Sequence, residues 1–255
     1  MVIVNTFGFH INGIKKTFEV LFKGKFLIFF VPGLVITIIY LYMVYSARSY
    51  TPALNLATGY SIIDTVTGWL ESGVSYFFSF IGMLFEQIYI YVVITLLSPF
   101  NTALAEKFDS SLTGKVFQTT FASFVNDFIR MIFVVIIAIT LEFGIMLFYW
   151  MFSWIFPSII DTIIYYLIAA FFFGFSFYDF HLERYKIGVL GSLGYAFQNI
   201  LTMLLTGSFF LLIYNIPIIG IPLAPVLTIM VSTVVYLQKE NKIDGNTMKK
   251  IESES

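Results

Sequence analysis

The sequence predicts an all-α integral membrane protein. Its elements are an interfacial amphipathic helix, two long transmembrane helices and two helical hairpins that need not cross the bilayer fully. Three observations carry this. Of 255 residues, 59% are apolar and only 11% are charged, against about 45–50% and roughly 25% in a soluble domain. Uncharged runs at 26–47 and 187–238 are long enough for one and two passes, since a span needs about 20 apolar residues. Finally, the cations cluster between the apolar runs. With 31 phenylalanines, 20% aromatic residues and so little charge, the chain cannot clothe a water-facing surface. A soluble domain, a disordered chain and a nucleic-acid binder are excluded. The net charge of -1 offers phosphates no overall attraction, and without cysteine there is no thiolate chemistry and no disulfide.

Taken in order, residues 7–25 place Phe7, Ile11, Ile14, Phe18 and Leu21 at helical spacing, with Lys15, Lys16, Glu19 and Lys23 on the other face. This pattern predicts an amphipathic helix in the membrane interface, drawn to anionic lipids. Residues 26–47 are uncharged between Lys25 and Arg48 and read as the first long span. The second span, 72–97, carries Glu86 near its middle. A hairpin over 131–178 follows. Its first arm carries Glu142, Pro157 and Ser158 break it, and the second arm runs over 159–178. The 187–238 region must also fold back. Asn215, Pro217, Gly220, Pro222 and Pro225 mark the turn, because proline lacks an N–H and clashes with the preceding helical turn. Its arms are expected near 200–216 and 222–237. Residues 1–240 form one membrane domain, and 241–255 is a polar tail.

Orientation follows from lysine and arginine. Lys15, Lys16, Lys23, Lys25, Lys107, Lys115, Arg130, Arg184, Lys186, Lys239, Lys242, Lys249 and Lys250 fall on one side, and Arg48 alone on the other. The cation-rich side is the expected cytoplasmic side, with both termini there. Trp69, Trp150 and Trp154 lie toward the outer interface.

The stretch from Ser98 to Phe108 reads as a helix break and a capped restart, Ser98 capping and Pro99 at the first helical position. Its simplest role is a turn at the inner face. A sharper one is a helix N-terminus aimed at an anion. Ser98, Pro99, Phe100, Asn101, Leu104, Ala105 and Glu106, continuing to Leu112, Thr113 and Gly114, resemble the Pro-Phe-Asn, Leu-Ala-Glu and Leu-Thr-Gly signature of the CysZ sulfate-transporter family. The etoposide-induced membrane proteins are grouped with it. Gly24, Lys25 and Phe26 before Val31, Pro32, Gly33 and Leu34, then Tyr178 with Asp179 and Phe180, and the late Ile-Pro hairpin follow in the same order. The resemblance implies two long spanning helices, partly penetrating hairpins, a homo-oligomer, and passive or proton-linked sulfate uptake across a bacterial inner membrane, with no cofactor. It places oxyanion binding at Lys23, Gly24 and Lys25, where the family carries arginines and this chain has lysine point charges without the bidentate fork.

Glu86 and Glu142 are the charge anomalies, since a carboxylate at mid-bilayer costs roughly 2.5–3.5 kcal/mol on insertion scales. Each is either a neutral acid in a helix–helix hydrogen bond or a proton carrier on a permeation path. Asp179, Glu183 and Arg184 read as an ion-pair cluster on the inner surface, or as a gate. Gly188, Gly191 and Gly194 suggest close helix packing. His10 and His181 show no metal-ligand spacing, and no catalytic motif is present. The expected function is a permease or channel for a small inorganic anion, sulfate first, without enzyme activity. The alternative is a non-transporting membrane scaffold of the same fold.

Overall fold

A computed structural model describes residues 2–24, 26–47, 61–116, 121–152 and 155–243, with no side chains described at 2–4, 43–47, 61–86, 121, 122 and 124. Within these residues the chain is all α-helical: α1 (Val2–Phe22), a 3-10 turn (Leu27–Phe30), α2 (Val31–Ala47), α3 (Ser61–Thr113), α4 (Phe121–Trp150), α5 (Ser158–Arg184), α6 (Val189–Gln198), α7 (Ile200–Tyr214) and α8 (Gly220–Lys239). Four helices are long and apolar enough to cross a membrane, and six spans result if each of two sharply bent pairs counts as one. This is an integral membrane fold. The polar tail beyond Ile243, Trp154 and Arg48 lie outside the described residues, as does the side chain of Trp69. Trp150 ends α4 and is exposed.

Two compact units emerge, Met1–Thr37 with Thr95–Ser255, and Ile38–Ile94. The smaller holds the later part of α2 and the earlier part of α3, where the Tyr40 and Tyr89 rings lie 5.2 Å apart.

The larger unit is built around α8. Nearly all of α8 is buried, with α1, α5 and α7 packed on it. Two of its hydroxyls donate back within the helix: Ser232 to the Thr228 carbonyl and Thr233 to that of Ile229, each at 2.7 Å. Small residues set the helix spacing. A Cβ on Gly174 of α5 would strike the Met203 backbone of α7, and one on Gly207 of α7 would strike the Ala170 backbone of α5. Gly13 brings α1 onto α8, where an added Cβ would lie 2.9 Å from the Val231 carbonyl oxygen. In lipid, where neighbouring tails are as apolar as leucine, such close approach is the main source of helix association. The glycines expected to pack tightly are not the ones that do, since Gly188 and Gly194 face open space and Gly191 meets only Ile187 of its own segment.

The first hairpin forms with longer arms than expected. At about 1.5 Å per residue, the 30 residues of α4 reach about 45 Å and the 27 of α5 about 40 Å. Both exceed the ~30 Å bilayer core. The Tyr149 hydroxyl closes the pair by donating to Asp161 at 2.6 Å. In the second hairpin α7 has 15 residues, about 22 Å, and by itself falls short of crossing. It is bent 99° from α6.

Two expectations need correction. Pro99 lies inside α3, which is continuous from Ser61 to Thr113, so there is no break and Ser98 is not a cap. Breaking a helix in lipid would orphan several backbone groups, whereas an internal proline withdraws one donor, which membrane helices tolerate. The 26–47 span is regular helix only from Val31, because Pro32 belongs in a first turn. In α1 the side away from the apolar stripe packs on α8. Thr6, His10, Lys16 and Thr17 are inside, and Phe7, Ile11 and Phe18 are exposed. Its apolar side is turned outward, as on a helix whose surroundings are lipid.

Candidate functional site

The end of α1, the turn after it and the end of α3 enclose a cavity of about 470 Å³ lined by Lys16, Glu19, Val20, Lys23, Gly24, Phe26, Lys107 and Ser111. Helical spacing puts Lys16, Glu19 and Lys23 on one side of α1. Glu19 accepts from Lys16 at 3.1 Å and from Lys23 at 3.2 Å. The chain then reverses through two left-handed residues, Gly24 at φ 73° and Phe26 at φ 75°. Phe26 carries a side chain in a conformation that favours glycine. It is held there by burial and by an edge-on contact with Phe108 at 5.6 Å. Lys107 stands over the rings of Phe26 and Phe29 at 5.8 and 5.9 Å and, among the described residues, makes no ion pair with a carboxylate. Three ammonium groups therefore face one carboxylate. Lys23 and Gly24, two of the expected oxyanion residues, line this cavity, and Lys25 lies outside the described residues. Lys16 and Lys107 complete it. The contribution of Lys107 has no sequence signal, because it comes from a helix far along the chain.

On α3, Ser98, Asn101 and Thr102 share one face with Asp109. All four are buried. The hydroxyls of Ser98 and Thr102 and the Asn101 amide nitrogen have no hydrogen-bond partner among the described residues. Phe100 is exposed and Glu106 half-buried.

Asp109 leads into a second constellation, at the ends of α3, α5 and α8. Arg184 of α5 lies 3.4 Å from Asp109, and both are almost fully buried. Arg184 also donates to His181 Nδ1 at 2.7 Å. That nitrogen must then be unprotonated, so the ring proton sits on Nε2 and is given to Ser232 Oγ at 2.6 Å. Tyr185 donates to Asp109 at 3.3 Å. Burial first, and then the Asp109 charge, push its hydroxyl up to about 12. Lys115 and Lys242 flank the Tyr185 ring at 5.2 and 3.1 Å, and burial holds the Lys242 ammonium below the usual lysine range.

Arg130 of α4 grips Asp179 of α5 through two bonds, Nε at 2.9 Å and Nη2 at 2.7 Å. It also donates to the Ile187 carbonyl at 2.8 Å and Ser192 Oγ at 3.2 Å, and Glu183 lies 3.6 Å away. The surface cluster expected of Asp179, Glu183 and Arg184 is thus corrected. Asp179 and Arg184 are buried and belong to different pairs, each reaching to another helix. Helical periodicity explains it, because Asp179 and Arg184 are five residues apart in sequence and project in different directions.

Glu142 is fully buried in α4 and lines neither this cavity nor the other one described, a wholly apolar hollow of about 270 Å³ between α4, α5, α6 and α7. The side chain of Glu86 lies outside the described residues. Comparison of the chain with protein-family models finds no match, and comparison with curated proteins finds none either.

Proposed function

We propose that the chain is a CysZ-like permease or channel for a small tetrahedral oxyanion, sulfate being the leading candidate, with the Lys16, Lys23 and Lys107 cavity as its binding station. The observation carrying this is that, among the described residues, three lysines from two distant segments line one cavity with one carboxylate, Glu19. The resemblance over residues 98–114 points the same way. We place the chain in a bacterial inner membrane with both termini cytoplasmic, as a homo-oligomer. The contacts of Asp109 with Arg184 and of Lys115 and Lys242 with Tyr185 support the sidedness by gathering the cation-rich segments at one end.

A second reading is a non-transporting scaffold of the same fold. The sealed position of Glu142 favours it, because a proton carrier on a permeation path needs access to water. Radiolabelled sulfate uptake into proteoliposomes, with and without a pH gradient, separates the two. Transport predicts uptake above empty vesicles and a loss of at least half of it in Lys107→Ala. Uptake equal to empty vesicles leaves the scaffold. Gradient-independent uptake makes the path a passive channel.

A further inference from the structure

We infer that the same lysine-lined cavity holds the phosphate of an anionic phospholipid, with the acyl chains lying outside along Phe22, Leu27 and Ile28. This rests on the reading of the cavity as an oxyanion site and names the ligand that occupies it in the membrane. Three observations support it. First, about 470 Å³ lies within the ~300–1,000 Å³ range of small-molecule sites. A bare sulfate leaves most of that space to water, and a phosphodiester with its glycerol fills more of it. Second, the side chains flanking the cavity along the chain are strongly exposed and apolar: Phe22 at 88%, Leu27 at 54% and Ile28 at 67%. A free inorganic anion has no use for such a rim, whereas a lipid presents charge and hydrocarbon together. Third, the exposed Phe7, Ile11 and Phe18 turn α1 toward hydrocarbon. The lysines at its end then stand at headgroup height, where anionic lipid phosphates are concentrated.

The ligand is a phosphate ester carrying net negative charge, held by point charges from Lys16, Lys23 and Lys107, with Glu19 limiting the site to modest affinity. A free oxyanion reaching the cavity has to displace it. Anionic lipid therefore sets the effective affinity for sulfate.

The test uses the full chain in nanodiscs of phosphatidylcholine with and without phosphatidylglycerol, reading lipids retained on the released protein by native mass spectrometry. Sodium sulfate and sodium phosphate serve as competitors. Phosphatidylglycerol should be retained over phosphatidylcholine. Retention should fall about fivefold per lysine removed, on the ~1 kcal/mol that one cation contributes near an anionic surface, in Lys107→Ala and again in Lys16→Ala/Lys107→Ala. Lys107→Arg should keep it. Lys15→Ala, an exposed cation outside the cavity, should change it less than twofold. Circular dichroism confirms that each variant is folded. Equal loss in Lys15→Ala and Lys107→Ala would reduce the effect to diffuse surface attraction and overturn the site. Sulfate binding that Lys107→Ala abolishes, but that is indifferent to phosphatidylglycerol, would overturn the lipid and leave the oxyanion station. Phosphatidylglycerol retention that sulfate never disturbs, in protein that takes up no sulfate, would uphold the lipid and end the transport reading. Retention of neither ligand ends both.

Discussion

Arg130 and Asp179 make the interaction whose removal should cost most. A planar guanidinium with two N–H bonds to one carboxylate is the strong form of an ion pair. Deleting one partner leaves the other charged and buried. Arg130→Ala should therefore lower stability by about 3–5 kcal/mol, and Arg130→Ala/Asp179→Asn by clearly less than the sum of its single variants. Thermal unfolding in detergent measures both. The pair was not legible in the sequence. Its members lie 49 positions apart, and nothing local distinguishes Arg130 from an anchoring cation at a membrane boundary. The Arg184–Asp109 pair was hidden for the same reason. Lys23 and Gly24, by contrast, were named through the family resemblance, and both line the cavity.

At the scale of the helix, glycine position decides packing. Gly207→Ala should cost about 1–3 kcal/mol by forcing α5 and α7 apart. Gly194→Ala, where nothing lies within 4 Å, should be neutral or stabilising by about 0.5–1 kcal/mol through helix propensity. A comparison of melting temperatures tests the contrast, and equal losses at both sites would contradict it. Pro99 gives a second test. In a continuous helix Pro99→Ala restores one backbone hydrogen bond and should leave melting temperature unchanged or raised. A fall would point to a required distortion at that turn. That the chain holds several membrane-length apolar helices was legible because hydropathy is one-dimensional and survives without knowledge of neighbours. The packing of α1 on α8 was not. An apolar stripe turned to lipid does not say which residues on the other side meet protein: Gly13, Thr17 and His10 do, while Phe7, Ile11 and Phe18 are exposed.

Over the whole molecule, the contacts among the ends of α3, α5 and α8 make one testable statement about sidedness. Because the chain contains no cysteine, Ser110→Cys, Lys186→Cys and Asn241→Cys can each be labelled alone. All three should react with a membrane-impermeant maleimide from the same side, the cytoplasmic side under the proposed orientation, and a split among them would contradict the packing. The central place of α8 bears as well on how the protein is made. The helix on which α1, α5 and α7 pack leaves the ribosome after all three. Until it arrives, His181 has no Ser232 to donate to and Gly13 has no Val231 to rest against. The earlier helices must therefore wait in the insertion machinery or in lipid with polar faces uncovered, and quality control has an interval in which an unfinished chain is recognisable by its exposed histidine and threonines.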